Sequence, residues 1–127
     1  MEAVVYLDTH IVVWLYMGEK DLFSSRAFKM IEDKQLIISP IVLLELEYLY
    51  EIKRLKVNAD KIFKSLEKSI GLKVCDRNFH FVALEAVKQS WTRDPFDRLI
   101  VAQALTAKAA LITKDVVIQK HYARSVW

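Results

Sequence analysis

Five acidic residues stand where their carboxylates can act together: Asp8, Glu45, Asp94, Asp97 and Asp115. Asp8 directly follows the apolar run Ala3–Leu7, and Asp115 follows the run Ala110–Thr113 with only Lys114 between. Asp94 and Asp97 open a helical pattern, one on each side of the Pro95-Phe96 pair. Glu45 shares a helical stripe with Ile41, Leu49 and Ile52, and a glutamate on an apolar stripe is costly to bury unless it is paired or metal-bound. Glu47, Glu51 and Arg54, by contrast, read as a solvated face. Bare carboxylates at contact distance repel by about 4 kcal/mol per pair at an effective dielectric of 20, and a divalent cation removes that penalty. An all-oxygen set suits Mg²⁺ or Mn²⁺ rather than zinc or copper. Such a centre binds phosphates and activates water for in-line attack on a phosphodiester.

The convergence depends on the elements that carry these acids. Ala3–Leu7 reads as a strand buried on both faces, and Leu36–Ile38, Leu72–Val74 and Ala110–Thr113 read as three more short strands. Helical patterns cover Thr9–Met17, Ser24–Asp33, Pro40–Arg54, Ala59–Ile70, Asn78–Gln89 and Pro95–Ala107. Ser39-Pro40 and Asp94-Pro95 each offer a capping oxygen followed by proline at the first helical position, where its missing N–H costs nothing. Asn58 and Asp76 are further cap candidates. Alternating strands and helices predict an α/β domain with a central, mostly parallel sheet flanked by helices. Function in such a sheet collects at the carboxyl ends of the strands. Asp8 and Asp115 must lie at that edge. Because Pro95–Ala107 runs back into the strand at Ala110, Asp94 and Asp97 lie there as well, as does Glu45 in the second turn after Leu36–Ile38.

Composition narrows the field. The 127 residues predict one domain, 1–127. A 54% hydrophobic content with 28% charged residues excludes disorder. The longest apolar run, Ile11–Met17, is too short to span a bilayer, and no leader pattern opens the chain, so a cytoplasmic protein is expected. The lone Cys75 excludes a disulfide framework or thiolate zinc site within one chain and reads as a small buried hydrophobe. A net charge of +3 is compatible with a nucleic-acid partner. His10, His80 and His121 lack the spacing of a metal motif.

The stretches Val5–His10, Ser39-Pro40 through Glu45-Leu46, Asp94–Ala104 and Leu111–Asp115 resemble the PIN domain, and more narrowly the VapC-type toxin ribonucleases of toxin–antitoxin pairs. The resemblance runs in order along essentially the whole chain, and Asp94-Pro95-Phe96-Asp97-Arg98 followed by Ala102-Gln103-Ala104 is its most specific part. It implies a parallel-sheet nuclease, Mg²⁺- or Mn²⁺-dependent RNA cleavage and a cognate antitoxin. By motif position the family's acidic quartet falls on Asp8, Glu45, Asp97 and Asp115, as catalytic residues and metal ligands. Asp94 takes the extra acidic position of the toxin-like subgroup, Thr113 the hydroxyl position before the last aspartate, and Thr9 follows the first. Ser90–Arg93 holds no histidine where many relatives carry one, so no role is carried over for it.

Arg98 and Arg93 flank the acidic block and are expected to contact phosphate beside the metal. Lys53, Arg54 and Lys56 form a basic cluster at a helix end, where they chiefly compensate the helix dipole and also offer contacts to an RNA backbone. The nearly all-apolar helix Ile11–Met17 calls for a cover, and a homodimer through the early helices is expected. Two alternatives compete with the nuclease. A receiver-like signalling module should carry an aspartate after its middle strand, where this chain has Ser39-Pro40. A catalytically silent RNA-binding relative should have lost acids, and none is missing.

Overall fold

The computed structural model describes residues 3–127; Met1 and Glu2, where the reading of the chain's start begins, lie outside the described residues. Five strands, β1 (Val4–Leu7), β2 (Gln35–Ile38), β3 (Lys73–Val74), β4 (Ala110–Ile112) and β5 (Ser125–Val126), form one sheet in the order β3-β2-β1-β4-β5. Every pairing is parallel. The expected "mostly parallel" sheet is thus wholly parallel among the described residues. Its added strand, β5, was not foreseen from sequence, because two residues carry no readable periodicity. Consecutive residues Val5, Tyr6 and Leu7 of β1 point to opposite faces and are all buried, so helices cover both sides of the sheet.

The helices are α1 (Thr9–Met17), α2 (Ser25–Asp33), α3 (Pro40–Glu51), α4 (Ala59–Ile70), α5 (Phe79–Val87), α6 (Pro95–Thr106) and α7 (Val116–His121). Their starts follow the capping chemistry. Asp8, Ser24, Ser39, Asn58, Asn78, Asp94 and Asp115 each accept a backbone N–H of the first turn. Asn78, not Asp76, caps α5. Both glycines close helices in the left-handed region, Gly18 at φ +71° after α1 and Gly71 at φ +69° after α4. Helix α3 stops three residues before its expected end. There Lys53 turns into the left-handed region at φ 65°, and Arg54 and Leu55 both donate backbone N–H bonds back to the Leu49 carbonyl.

A buried polar relay ties α6 to the sheet. Ser39 donates to Gln103 Oε1 at 3.1 Å, Gln103 Nε2 donates to Cys75 Sγ at 3.1 Å, and the Tyr6 hydroxyl donates to the same sulfur at 3.1 Å. Cys75 is buried, as expected, and also accepts hydrogen bonds. Helix α5 packs on α6 through Val82, Ala86, Leu99 and Ala102.

The expected interface on α1 is corrected. Ile11 and Val12 are fully buried, and Trp14 and Tyr16 pack against the same subunit's core. On α1 only Met17 is strongly exposed, whereas α3 exposes Leu44 and Tyr48 and α5 exposes Phe79, Phe81, Leu84 and Val87. The nearly all-apolar run Ile11–Met17 is answered by cover on several sides within the fold.

Candidate active site

The strand order reverses between β1 and β4, the switch point where an open α/β sheet leaves a crevice beyond its strand ends. Asp8 follows β1 at this point, and its backbone N–H continues the ladder to the Ile112 carbonyl at 3.1 Å. Beyond β4 the chain supplies Thr113 and Asp115. A cleft of about 570 Å³ opens here, lined by Asp8, Thr9, Glu45, Asp94, Asp97 and Asp115, with His10, Trp14 and Arg54 at its walls. All five sequence-predicted acids therefore meet in one cavity, contributed by two strand ends, the second turn of α3 and the start of α6.

Short hydrogen bonds set the acids. The fully buried Thr113 hydroxyl donates to Asp8 Oδ2 at 2.7 Å and accepts the Asp115 backbone N–H at 3.0 Å, so one side chain joins the two carboxylate-bearing segments. Asp8 Oδ1 accepts the Thr9 backbone N–H at 2.8 Å. The Thr9 hydroxyl donates to Glu45 Oε1 across the gap between α1 and α3. Asp94 Oδ1 accepts from Phe96 N and Asp97 N at 2.8 and 3.3 Å, and Asp115 Oδ1 accepts from Val117 N and Ile118 N at 2.8 and 3.1 Å. Both aspartates are helix caps that also face the cleft, so the capping and site readings coincide.

The crowding is visible in proton affinity. Asp97 is pushed from 3.8 up to about 7, first by burial and then by the charges of Asp94, Asp8, Asp115 and Glu45. Burial also raises Asp8, against the pull of His10 and the bonds from Thr113 and Thr9. Glu45 is raised by burial, against its bond from Thr9, with Asp8 and Asp94 adding to the rise. Burial holds His10 below the usual imidazole range. His10 Nε2 accepts the Lys114 backbone N–H at 3.0 Å while Nδ1 lies 3.6 Å from Asp8 Oδ2. The ring thus fixes the loop before Asp115.

The donor chemistry suits a hard divalent cation: carboxylate oxygens converge, His10 Nε2 is already occupied, and burial together with the neighbouring carboxylates raises Asp97. Among the described residues no three His, Cys, Asp or Glu side chains stand close enough to form a ready-made cage. The carboxylates share a cleft rather than a closed coordination shell.

Both flanking arginines depart from expectation. Arg98 donates from Nε to the Ala86 carbonyl at 3.1 Å, from one terminal nitrogen to the Val87 carbonyl at 2.9 Å, and from the other toward the Thr92 carbonyl at 3.5 Å. It closes the C-terminal end of α5, where orphan carbonyls and the helix dipole favour a cation. Arg93 bonds the Ser90 carbonyl, and both line a groove between α5 and α6 rather than the acidic cleft. Adjacency to Asp97 misled the sequence reading, because consecutive helical residues point in different directions. Glu47, expected on a solvated face, accepts the Ala59 backbone N–H at 3.1 Å and so helps open α4. Arg54, expected chiefly to compensate the helix dipole, lines the acidic cleft.

The family profile described as the PIN domain matches residues 5–124 of this chain. No curated protein matches it in sequence. Its fold is similar to VapBC2 from Rickettsia felis bound to a DNA fragment from their promoter, with a TM-score of 0.68 and 19% identity over 97% of this chain and 96% of that one. It is also similar to VapBC-1 from nontypeable Haemophilus influenzae, with a TM-score of 0.67 and 19% identity over 98% and 96% of the two chains. A toxin–antitoxin complex from Klebsiella pneumoniae gives a TM-score of 0.63 and 16% identity over 97% and 96%.

Proposed function

This chain belongs to the PIN-domain family, and from that premise we propose that it is a metal-dependent endoribonuclease, the toxin of a VapBC-type toxin–antitoxin pair. The observation that carries this reading is the meeting of Asp8, Glu45, Asp94, Asp97 and Asp115 in one cleft at the switch point of a parallel sheet. A receiver module is disfavoured by the sheet itself, whose order β3-β2-β1-β4-β5 differs from the 2-1-3-4-5 order of that fold.

In this reading Asp8, Asp97, Asp115 and Glu45 hold Mg²⁺ or Mn²⁺. When bound, the ion supplies charge neutralisation at the phosphate and a lowered pKa for water. The chain's own residues do the rest. Thr113 holds Asp8 and the Asp115 backbone in register, so two acids face the same phosphate. Thr9 occupies Oε1 of Glu45, leaving Oε2 to orient the attacking water and take its proton. Asp94 keeps the first turn of α6 in place and adds negative charge beside Asp97.

The partners follow from the same surface. RNA is the substrate. A cognate antitoxin would insert an Arg or Lys among the site carboxylates and lay an amphipathic helix on apolar surface; the toxin–antitoxin assemblies among the similar structures support this. The exposed apolar residues of α3 and α5 support a homodimer. The cytoplasm is the proposed place of action; among the described residues no helix is long and apolar enough to cross a membrane.

The test is cleavage of RNA by the purified protein with Mg²⁺, with Mn²⁺ and with EDTA. Cleavage should require the metal. Asp97→Asn should bind RNA while cutting at least ~100-fold more slowly, since lost electrostatic stabilisation costs several kcal/mol in the transition state. Full activity in EDTA would refute the proposal.

A further inference from the structure

The acidic cleft has one arginine or lysine among its lining residues, Arg54, and the backbone is built to put it there. Helix α3 ends at Glu51, Lys53 takes the left-handed conformation at φ 65°, and the Arg54 N–H is tied to the Leu49 carbonyl at 2.8 Å. The next residue, Leu55, bonds the same carbonyl at 3.2 Å and packs against the hydrophobic core. Leu49 and Leu55 themselves line the cleft, so the turn that carries Arg54 is anchored on both sides in the cavity wall.

Arg54 is exposed, and its side chain has no ion-pair or hydrogen-bond partner among the described residues. The ion pairs among the described residues are His10–Asp8, Lys64–Asp60 and Lys88–Glu85, and none includes Arg54. The contrast with Arg98, which spends its donors on backbone carbonyls, is direct. We infer that Arg54 is a substrate-binding residue that holds a backbone phosphate of the RNA at the mouth of the acidic cleft. This rests on the nuclease reading above. A polyanion entering a cavity walled by five carboxylates meets repulsion, and a planar fork of donors at the rim matches two phosphate oxygens at once. Because this contact is made to substrate and transition state alike, it sets KM rather than kcat.

The experiment measures binding of a fluorescein-labelled RNA of about 20 nucleotides of mixed sequence by anisotropy, in full-length chains carrying the cleavage-blocking Asp97→Asn change. Arg54→Gln and Arg54→Lys are compared over a salt series. Arg54→Gln should weaken binding about 10-fold and flatten the log–log salt slope by about 0.7, the value of one single-strand phosphate contact. Arg54→Lys should restore the slope and part of the affinity, as a point charge without the fork. With Asp97 intact, Arg54→Gln should raise KM about 10-fold and leave kcat within about 3-fold. Unchanged affinity and slope in Arg54→Gln would overturn the assignment. Equal losses in both variants with an unchanged slope would make the role one of packing, and would overturn it too. If RNA bound to none of the proteins, Asp97→Asn alone included, the nuclease reading would fall and this assignment with it.

Discussion

Replacing Asp97 by Asn should make the metal-free protein more stable at neutral and alkaline pH. In the unfolded chain this carboxyl titrates near 3.8, and in the folded cleft it titrates at about 7. Below about pH 4 both states are protonated and the difference costs nothing. Between about pH 4 and pH 7 the unfolded chain ionises while the folded one holds its proton, so stability falls as pH rises, and the full cost is present above pH 7. At 1.36 kcal/mol per pH unit its ceiling is about 4 kcal/mol. Solvent screening at this half-buried site brings it to about 2 kcal/mol. The amide also forfeits an acid's interaction with the dipole of α6, at most about 1 kcal/mol, so the sign survives. For 127 residues, an unfolding entropy of about 2.1 cal/mol/K per residue turns a net 1–2 kcal/mol into a Tm gain of roughly 4–7 °C. Thermal unfolding in EDTA at pH 8 should show that gain, and at pH 5 less than half of it. Added Mn²⁺ should raise the Tm of the parent more than that of the variant, because only the parent retains the full ligand charge. A variant no more stable than the parent at pH 8, or a gain of equal size at both pH values, would refute the idea that burial, with neighbouring carboxylates adding to it, makes the ionised Asp97 costly in the fold.

Expression of the protein alone should arrest growth, and Asp8→Asn, which keeps an acceptor for the Thr113 hydroxyl, should abolish the arrest while circular dichroism shows a folded chain; undiminished toxicity would exclude catalysis at this cleft. Arg98→Ala should cost about 2 kcal/mol by stripping a charged donor from the end of α5, read as a lower midpoint in denaturant, with kcat of the folded protein unchanged; a selective loss of kcat would return Arg98 to the site. Light scattering over a dilution series should show a dimer that Leu84→Glu on α5 dissociates and Met17→Glu on α1 does not, and a monomer at all concentrations would contradict self-association through the exposed faces.

Much of the site was legible because the chain writes it in local chemistry. Asp8 directly follows one strand pattern, Asp115 closely follows another, and Asp94-Pro95 announces a helix start. In a parallel α/β arrangement those three facts alone place four acids at one edge. Glu45 was legible from its apolar stripe. Helix starts followed the capping oxygens, while ends were less legible: the positive φ of Lys53 has no signature in a lysine, and α3 ended early there.

What tertiary structure alone decided is which way side chains separated by long stretches of chain would face. The order of the strands, and so the switch point between β1 and β4, depends on pairing among segments far apart in sequence, as does the cover given to α1. The two arginines show the limit most clearly. Arg98 sits one residue from Asp97 and turns away, because the open carbonyls of α5 lie on its side of α6. Arg54 is 43 positions before Asp97 in the sequence and lines the same cleft, because a left-handed residue and a half-buried leucine swing the end of α3 toward it. Residue type and local spacing determine which groups can bear charge, cap helices or bind an ion. Their partners are set by long-range packing, whose energy no single segment contains.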